Sequence, residues 1–201
     1  GSSSWSKMDV DSTGGKYTSI AVDSNDIPHI AYRDGSSGEL GYAKKTGGSW
    51  TWNNIETGID VGWTSIAIDS NDHIHIAFYD TTGGDLYYVV SNTTGSWVSS
   101  NLESIGSTTG GMAVDIAIDP TTDEPGISYF DRVNTALKYT YYAGSSWSPM
   151  TIENSADYGR FNSIAYDSLG NVHISHERNG VDDLYYTSDK TGSWVSTPID
   201  T

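Results

Sequence analysis

The chain has 201 residues, with 10 lysines and arginines against 26 aspartates and glutamates, a formal net charge of −16 and no cysteine. This composition excludes disulfides, and the excess of acidic residues argues against binding to nucleic-acid phosphates or to anionic membranes. No apolar run approaches the roughly 20 residues that a membrane helix needs. The opening residues 1–4, Gly-Ser-Ser-Ser, contain no apolar signal core, so we expect a processed chain.

Four short strand-like runs recur along the chain in a fixed order. The first reads Ser-Ile-Ala or Asp-Ile-Ala, the second His-Ile-Ala or a close variant, the third Leu-x-Tyr and the fourth Ser-Trp. The first three runs occur four times and the fourth occurs five times, with its tryptophans 45, 47, 50 and 47 residues apart. The runs begin at Ser19, Ser65, Asp115 and Ser163; at His29, His75, Gly126 and His173; at Leu40, Leu86, Leu137 and Leu184; and at Ser4, Ser49, Ser96, Ser146 and Ser193.

Turn residues separate these runs, with Asn and Asp after the first run and glycine before the fourth. Four strands in a period of this length are typical of one blade of a β-propeller. A helical solenoid is excluded because no segment has a 3.6-residue period. The sequence therefore predicts an all-β fold, a β-propeller of four-stranded antiparallel blades, with four blade repeats in a single domain. We assign the repeats to 4–48, 49–95, 96–145 and 146–192, with an extra outer strand at 193–201.

This blade layout resembles that of the propeller lectins, the five-bladed tachylectin-like and six-bladed fucose-lectin types. Those families also have short blades with a tryptophan near the outer strand and a Gly-rich turn before it. The resemblance covers the whole chain at the level of blade layout, and it implies the fold and, as the associated function, sugar binding. It assigns no sugar-binding residue. The Asp box of sialidase repeats, the calcium loop of integrin-like blades and the Trp-Asp dipeptide of WD40 blades are absent from the sequence.

The longest loops, before the first run and after the second, should share one face of the propeller, the top face. An aromatic column formed by Tyr17, Trp63 and Phe161, with Ala113 in the third repeat, should surround the mouth of the central channel. The neighbouring loops add charged and aromatic residues, namely Arg33, Asp34, Tyr79, Asp80, Asp131, Arg132, Glu177 and Arg178. A sugar stacks its C–H face on a ring while its hydroxyls bond fixed donors and acceptors. These residues are the predicted ligand site; alternatively, the rings fill the channel.

Three columns of polar residues suggest metal sites or catalysis, but each has a structural explanation. His29, His75 and His173 lie on different blades, and packed sheets are roughly 10 Å apart, whereas zinc ligands lie about 2.1 Å from the ion. We therefore expect a repeated structural hydrogen bond. The aspartates that end the first run are expected to cap turns; they are Asp23, Asp69, Asp119 and Asp167. For Asp34, Asp80 and Asp131, turn capping and cation binding both stay open. No metal site and no cofactor is predicted.

The sequence predicts a non-catalytic binding module, extracellular or at the cell surface, with a carbohydrate-binding propeller as the first hypothesis and a glycan as the partner. The alternatives are a structural or protein-interaction fragment of a longer repeat array, and a propeller glycosidase. An enzyme is not expected, because the repeats contain no asymmetric pair of carboxylates.

The fifth copy of the fourth run leaves the strand around Trp5 in excess. Either four blades close a ring and leave this strand spare, or two chains associate end to end in a larger ring of about eight blades. We prefer the second, a homo-oligomer.

Overall fold

In the computed structural model, residues 7–92, 95–106, 113–154, 158–178 and 183–200 are described. They form sixteen β-strands and no helix, and hence no helix that could cross a membrane. The strands are β1 (Gly15–Val22), β2 (Pro28–Asp34), β3 (Leu40–Thr46), β4 (Ser49–Glu56), β5 (Val61–Ile68), β6 (Ile74–Asp80), β7 (Asp85–Ser91), β8 (Trp97–Ser104), β9 (Val114–Ile118), β10 (Pro125–Asp131), β11 (Ala136–Tyr142), β12 (Trp147–Glu153), β13 (Tyr158–Tyr166), β14 (Val172–Arg178), β15 (Asp183–Ser188) and β16 (Val195–Pro198).

Each group of four consecutive strands forms one antiparallel sheet, and the four sheets are the blades of a propeller. We call them blade 1 (β1–β4), blade 2 (β5–β8), blade 3 (β9–β12) and blade 4 (β13–β16). The predicted runs fall on the strands in matching register, because the isoleucines of the first and second runs are paired in every blade. The predicted all-β propeller of four-stranded blades is confirmed. The excess strand predicted around Trp5 includes residues 1–6, which lie outside the described residues.

The turn between the first two strands of a blade is shaped by aspartates. In blade 1, Asp23 Oδ1 accepts hydrogen bonds from the backbone N–H groups of Asn25 and Ile27, each at 2.9 Å. Asp26 closes the turn with a φ of 61°, in the left-handed region that Asp tolerates better than most residues. Blade 2 repeats this turn, with Asp72 also at 61°. Turn capping by the aspartates that end the first run is confirmed.

Blades pack face to face in chain order, and each interface buries its own apolar cluster. The face of a blade that contacts the next blade is called here the forward face, and the face that contacts the preceding blade is called the backward face. Leu40, Leu86 and Leu137 occupy one position of the forward face and are all fully buried. Burying a leucine side chain contributes about 1.5–3 kcal/mol, so these interfaces account for much of the stability. Within the described residues, no extensive packing joins blade 4 to blade 1.

Candidate functional site

Three cavities lie between consecutive blades, on the side of the molecule that carries the Asp-capped turns. The first pocket, between blades 1 and 2, has a volume of about 610 Å³. The second, between blades 2 and 3, has about 520 Å³, and the third, between blades 3 and 4, has about 360 Å³. These volumes are in the range of small-molecule sites. The three interblade pockets were not predicted from the sequence.

A histidine and a tyrosine from the forward face form one wall of the first pocket. The Nδ1 atom of His29 lies 2.6 Å from the hydroxyl of Tyr42, and its Nε2 atom lies 3.2 Å from Asp23 Oδ2. The two residues are on adjacent strands, β2 and β3, with their side chains on the same side of the sheet. The histidine column therefore makes the repeated structural hydrogen bond that was expected.

The second pocket has the same wall. His75 Nδ1 lies 2.7 Å from the Tyr88 hydroxyl, and His75 Nε2 lies 3.3 Å from Asp69 Oδ2. Blade 4 repeats the arrangement on its forward face, where His173 Nδ1 lies 2.6 Å from the Tyr186 hydroxyl. This His–Tyr pair is thus a feature of three blades rather than of one asymmetric centre.

Burial keeps Tyr42, Tyr88 and His75 neutral. It raises the pKa of Tyr42 to about 12, and it also raises the pKa of Tyr88. Burial lowers the pKa of His75, and Asp69 opposes this effect only partly. A neutral imidazole whose Nε2 atom faces a carboxylate carries its proton on Nε2. Its Nδ1 atom then accepts a hydrogen bond from the tyrosine hydroxyl. The phenolic oxygen keeps its lone pairs, so the wall offers hydrogen-bond acceptors to the pocket.

The opposite wall of these pockets comes from the backward face of the next blade. The ring of Trp97, at the start of β8, meets Tyr42 edge to face with the centroids 4.9 Å apart. Trp147, at the start of β12, meets Tyr88 in the same way at 4.7 Å. Each pocket therefore combines an indole ring with fixed polar atoms. The tryptophan of the fourth run supplies this ring, rather than the predicted aromatic column.

The third pocket departs from the other two. Gly126 occupies the position of His29 and His75, and the hydroxyl of Tyr166 enters from blade 4 to lie 2.7 Å from the Tyr139 hydroxyl. A Cβ atom built on Gly126 would lie 1.9 Å from that Tyr166 hydroxyl. Burial raises the pKa of Tyr166 to about 12. The third pocket is consequently smaller and lined mainly by phenols.

The predicted aromatic column lies elsewhere, near the inner strands. The ring centroids of Tyr17 and Trp63 are 4.6 Å apart, and those of Trp63 and Phe161 are 6.4 Å apart. Tyr17 and Phe161 have φ values of 53° and 47° at β-bulges, a strained geometry that often accompanies function. Ala113 contributes no ring. The structure therefore gathers three predicted residues into one axial cluster, whose role as a ligand platform stays a prediction.

The acidic residues predicted beside this column are buried and cap their own turns. Asp34, Asp80 and Asp131 accept backbone N–H groups at 2.7, 2.8 and 3.1 Å. The hydroxyl and N–H groups of the following serines hold the pKa of Asp34 well below its usual range. Tyr79 is also buried, and its hydroxyl donates to the carbonyl of Gly106. Turn capping is confirmed for the three aspartates, while ligand contact by these residues stays a prediction.

The basic residues predicted for the top face contact other side chains. Arg33 donates to Asp60 at 2.7 Å, and the Arg178 guanidinium lies 5.2 Å from the centroid of the Tyr158 ring. Arg132 and Glu177 are half-buried. Among the described residues, no group of three or more His, Asp or Glu side chains could hold a metal ion.

No protein-family model matches this chain, and neither does any curated protein sequence. Among solved structures, it is similar to the SapL1 lectin in complex with α-methyl fucoside, with a TM-score of 0.66 and 10% identity over 92% of this chain and 65% of that one. It is also similar to an ulvan lyase, a polysaccharide lyase (TM-score 0.61, 15% identity, 91% of this chain and 55% of that one). A third is an exo-β-1,3-galactanase from Phanerochaete chrysosporium (0.58, 10%, 91% and 49%).

The chain thus spans about half of the ulvan lyase and the galactanase, and about two thirds of the lectin. At these identities the similarity shows the propeller fold. It also corrects one expectation from the sequence, that the chain is not an enzyme. Two of these three structures are enzymes, so this fold does not exclude catalysis.

Proposed function

We propose that this propeller recognises carbohydrate in its interblade pockets. The observation that carries the proposal is the recurrence of one arrangement, a hydrogen-bonded His–Tyr pair faced by a tryptophan, in the first and second pockets. A repeated pocket suits a ligand that is itself repetitive, because several equivalent sites engage neighbouring units of one chain and raise the overall affinity.

The chemistry of the pockets fits a polyhydroxylated ligand. Sugar hydroxyls both donate and accept hydrogen bonds, and the first pocket offers the Tyr42 oxygen and the Asp23 carboxylate as acceptors, with Lys44 and Asn53 as donors. The indole of Trp97 supplies the apolar surface on which the C–H face of a sugar packs. The hydrogen bond between His29 and Tyr42 fixes the positions of these polar atoms in the pocket wall.

The similar structures support the same ligand class. One of them is a lectin bound to a fucoside, and the other two are named for action on polysaccharide or galactan. Glycans of these kinds are found outside cells, so we place the protein there. The proposal covers both a lectin and an enzyme, since recognition and cleavage of a glycan both begin with its binding in a pocket.

A glycan array with the purified chain tests the proposal, with the bound glycans then analysed for cleavage products. We expect binding, and we expect Lys44→Ala to weaken it because Lys44 lines the first pocket. Lys45→Ala is the matched control, since the next residue of β3 points to the other side of the sheet. Intrinsic tryptophan fluorescence should change on binding, because Trp97 and Trp147 line the first and second pockets.

Trp63→Ala separates the pockets from the axial cluster. If the pockets bind the glycan, Trp63→Ala leaves binding intact; if the axial cluster does, it abolishes binding while Lys44→Ala and Lys45→Ala behave alike. That second result would overturn the proposal, as would an array with no bound glycan.

A further inference from the structure

The three interfaces between blades share an apolar contact. On the forward face, the leucine of the third run is fully buried at all three interfaces, at Leu40, Leu86 and Leu137. On the backward face, the isoleucine of the first run is 5–7% exposed at Ile66, Ile116 and Ile164. Every interior blade therefore covers a leucine of one neighbour and an isoleucine of the other.

Two polar contacts accompany this packing. In the turn clasp, the N–H and hydroxyl of Ser24 donate to the Asp72 carboxylate of the next blade at 2.8 and 2.7 Å. Ser70 donates to Asp123 in the same way at 2.9 and 2.5 Å. In each case the acceptor is the left-handed aspartate of the turn, so its unusual backbone angle and its contact with the preceding blade occur together.

The second polar contact, the strand clasp, joins the inner strands. The N–H of Ile66 donates to the Ser19 hydroxyl at 3.2 Å, and that of Ile116 donates to the Ser65 hydroxyl at 3.3 Å. At the third interface the N–H of Ile164 donates to the Asp115 carboxylate at 2.9 Å. The residue that begins the first run thus accepts from the next blade at every interface.

The two ends of the chain present parts of this interface that are open. On blade 1, residues 8–11 lie against the backward face near Gly15 and Tyr32, and the rest of that face is not covered by any described residue. On the forward face of blade 4, Leu184 is 47% exposed, whereas its three counterparts are fully buried. On the backward face of blade 1, Ile20 is 63% exposed, whereas its counterparts are at 5–7%. Val22, beside Ile20, is 56% exposed. Adjacent exposed aliphatic residues on a sheet face mark an interaction surface.

The end blades also carry the polar groups of the two clasps, with the donor serine of the turn clasp on blade 4 and its acceptor aspartate on blade 1. Blade 4 has Ser168 at the position of the donor serines Ser24 and Ser70, and blade 1 has Asp26 at the position of the acceptor aspartates. The Ser168 hydroxyl and the Asp26 carboxylate are exposed and make no hydrogen bond to any described residue. For the strand clasp, Ser163 on blade 4 and the N–H of Ile20 on blade 1 are the corresponding pair.

We propose that the forward face of blade 4 binds the backward face of blade 1 of a second copy of this chain, head to tail. The forward face of blade 4, which carries Leu184, then covers Ile20 of the second copy, Ser168 donates to its Asp26, and Ser163 accepts from the N–H of its Ile20. Two copies carry eight blades, four in each. A head-to-tail contact that closes on itself gives a ring of defined mass rather than a filament.

The association completes a fourth interblade pocket. Among the described residues, none forms a wall opposite the His173–Tyr186 pair of blade 4, and the His173 side chain is 24% exposed, against 7% for His75. In the dimer, Trp50 of the second copy takes the place that Trp97 and Trp147 hold in the first and second pockets. Carbohydrate binding in this new pocket rests on the proposed function, but the association itself does not.

Light scattering coupled to size-exclusion chromatography tests the association without any ligand. We expect twice the chain mass of 21.7 kDa. Raising the salt concentration should strengthen the dimer, because each chain carries a net charge of −16 and salt screens the repulsion. A monomer at all concentrations and salt levels would overturn the proposal.

Two variants test the direction of the contact. Ile20→Asp and Leu184→Asp each place a charge on one end face, and both residues are exposed, so the fold should survive. Each variant alone should be monomeric, and an equimolar mixture should form a 1:1 dimer, because the mixture retains one intact pair of faces. Val133→Asp, a change at an equally exposed residue of a blade 3 turn, is the control and should leave the mass unchanged.

A symmetric contact between two like faces would give a different result. One of the two single variants would then still dimerise, and mixing would restore nothing. Asp26→Ala and Asp72→Ala make a second matched pair. Both variants carry the same cost of an alanine at a left-handed position. Beyond that shared cost, the first should weaken the dimer, and the second should lower the melting temperature of the monomer further while leaving the dimer unchanged; equal effects of both would contradict the turn clasp between copies.

Discussion

The second and third pockets occupy the same place between consecutive blades but are filled differently. In the second, His75 bonds Tyr88 and Asp69 closes the wall. In the third, the histidine is replaced by Gly126, and a tyrosine of the next blade, Tyr166, bonds Tyr139 instead. Blade 3 lacks the histidine side chain, and a tyrosine of blade 4 fills the space. The feature that the two pockets share is therefore a hydrogen-bonded tyrosine hydroxyl rather than a histidine.

The largest expected effect comes from restoring the histidine in the third pocket. Gly126→His should destabilise the protein by more than the usual overpacking cost of about 1–3 kcal/mol, because the new Cβ would meet the Tyr166 hydroxyl at 1.9 Å. Urea denaturation measures the loss. Tyr166→Ile, the residue that Ile68 provides in blade 2, should rescue it in the double variant. Independent, additive effects of the two changes would show that Tyr166 does not occupy the histidine's place.

A smaller effect is expected at Asp115, the other residue that distinguishes the third interface. Its carboxylate accepts from the Ser65 hydroxyl at 2.6 Å, from the Ser163 hydroxyl at 2.7 Å and from the N–H of Ile164. Asp115→Ala should cost about 1–3 kcal/mol of unfolding free energy, since it leaves these donors unpaired. Asp115→Ser, which restores the residue of the other blades, should recover part of the loss. Equal losses for both variants would contradict a role for the clasp.

Removing one hydroxyl should affect the second pocket more than the third. Tyr88→Phe leaves His75 Nδ1 without its partner and should cost about 1 kcal/mol. Tyr139→Phe should cost less, because the Tyr166 hydroxyl can rotate to another partner whereas a ring nitrogen cannot. Tyr87→Phe is the control, since that residue is on the opposite side of β7. Thermal or urea unfolding of the three variants gives the ranking, and a larger loss for Tyr139→Phe would contradict it.

The most gradual effect, spread over several pH units, should appear in the pH dependence of stability. Burial lowers the pKa of His75, and it lowers the pKa of His176 to about 4. In the unfolded chain both groups protonate near pH 6.5. As the pH falls from about 6.5 the unfolded state therefore gains protons that the folded state does not bind, and stability decreases. Carboxylates with lowered pKa values, such as Asp23 and Asp69, add a loss only in more acidic solution.

His176→Tyr separates the two histidines, because blades 1 and 3 have a tyrosine at this position. The variant should show a shallower loss of stability between about pH 6.5 and pH 4, the range set by the unfolded and folded pKa values, and the remaining slope belongs to His75. The third pocket has no histidine, and Glu124, which lines it, acts in the opposite direction. Burial raises the pKa of Glu124, so the folded state binds a proton there before the unfolded state does as the pH falls. Urea midpoints measured across the range give both slopes, and a flat profile for the unchanged chain would contradict the burial argument.

The repeat made the fold readable from the sequence, but it did not reveal the pockets. Strand order, blade length and turn capping all follow from patterns within one period. The pockets need residues from two periods, such as Tyr42 and Trp97, and no short-range spacing links them. One signal was available: His and Tyr are 13 residues apart in three repeats, as at His29 and Tyr42. The filling of the third pocket by Tyr166 depends on packing across an interface, which a repeat alignment cannot show.

The left-handed aspartate in the turn between the first two strands of blades 1, 2 and 3 bears on how a propeller chain can gain blades in evolution. Ser70 and Asp72 belong to the same turn; Ser70 donates to the next blade, and Asp72 accepts from the preceding blade. A tandem duplication of one blade therefore copies both halves of the joint together, and the new unit fits between its neighbours without further mutation.

The interface between blades 3 and 4 lacks this donor and acceptor pair. There Pro120 stands where the donor serine stands elsewhere, and Gly170 stands in place of the acceptor aspartate. Proline has neither a backbone N–H nor a hydroxyl to donate, so an aspartate at position 170 would have no donor to bind. Both residues of the turn clasp are accordingly different at this interface. Duplication can therefore change the number of blades as long as each interface keeps both its donor serine and its acceptor aspartate. Once one of the two is lost, the other no longer has a partner to retain it.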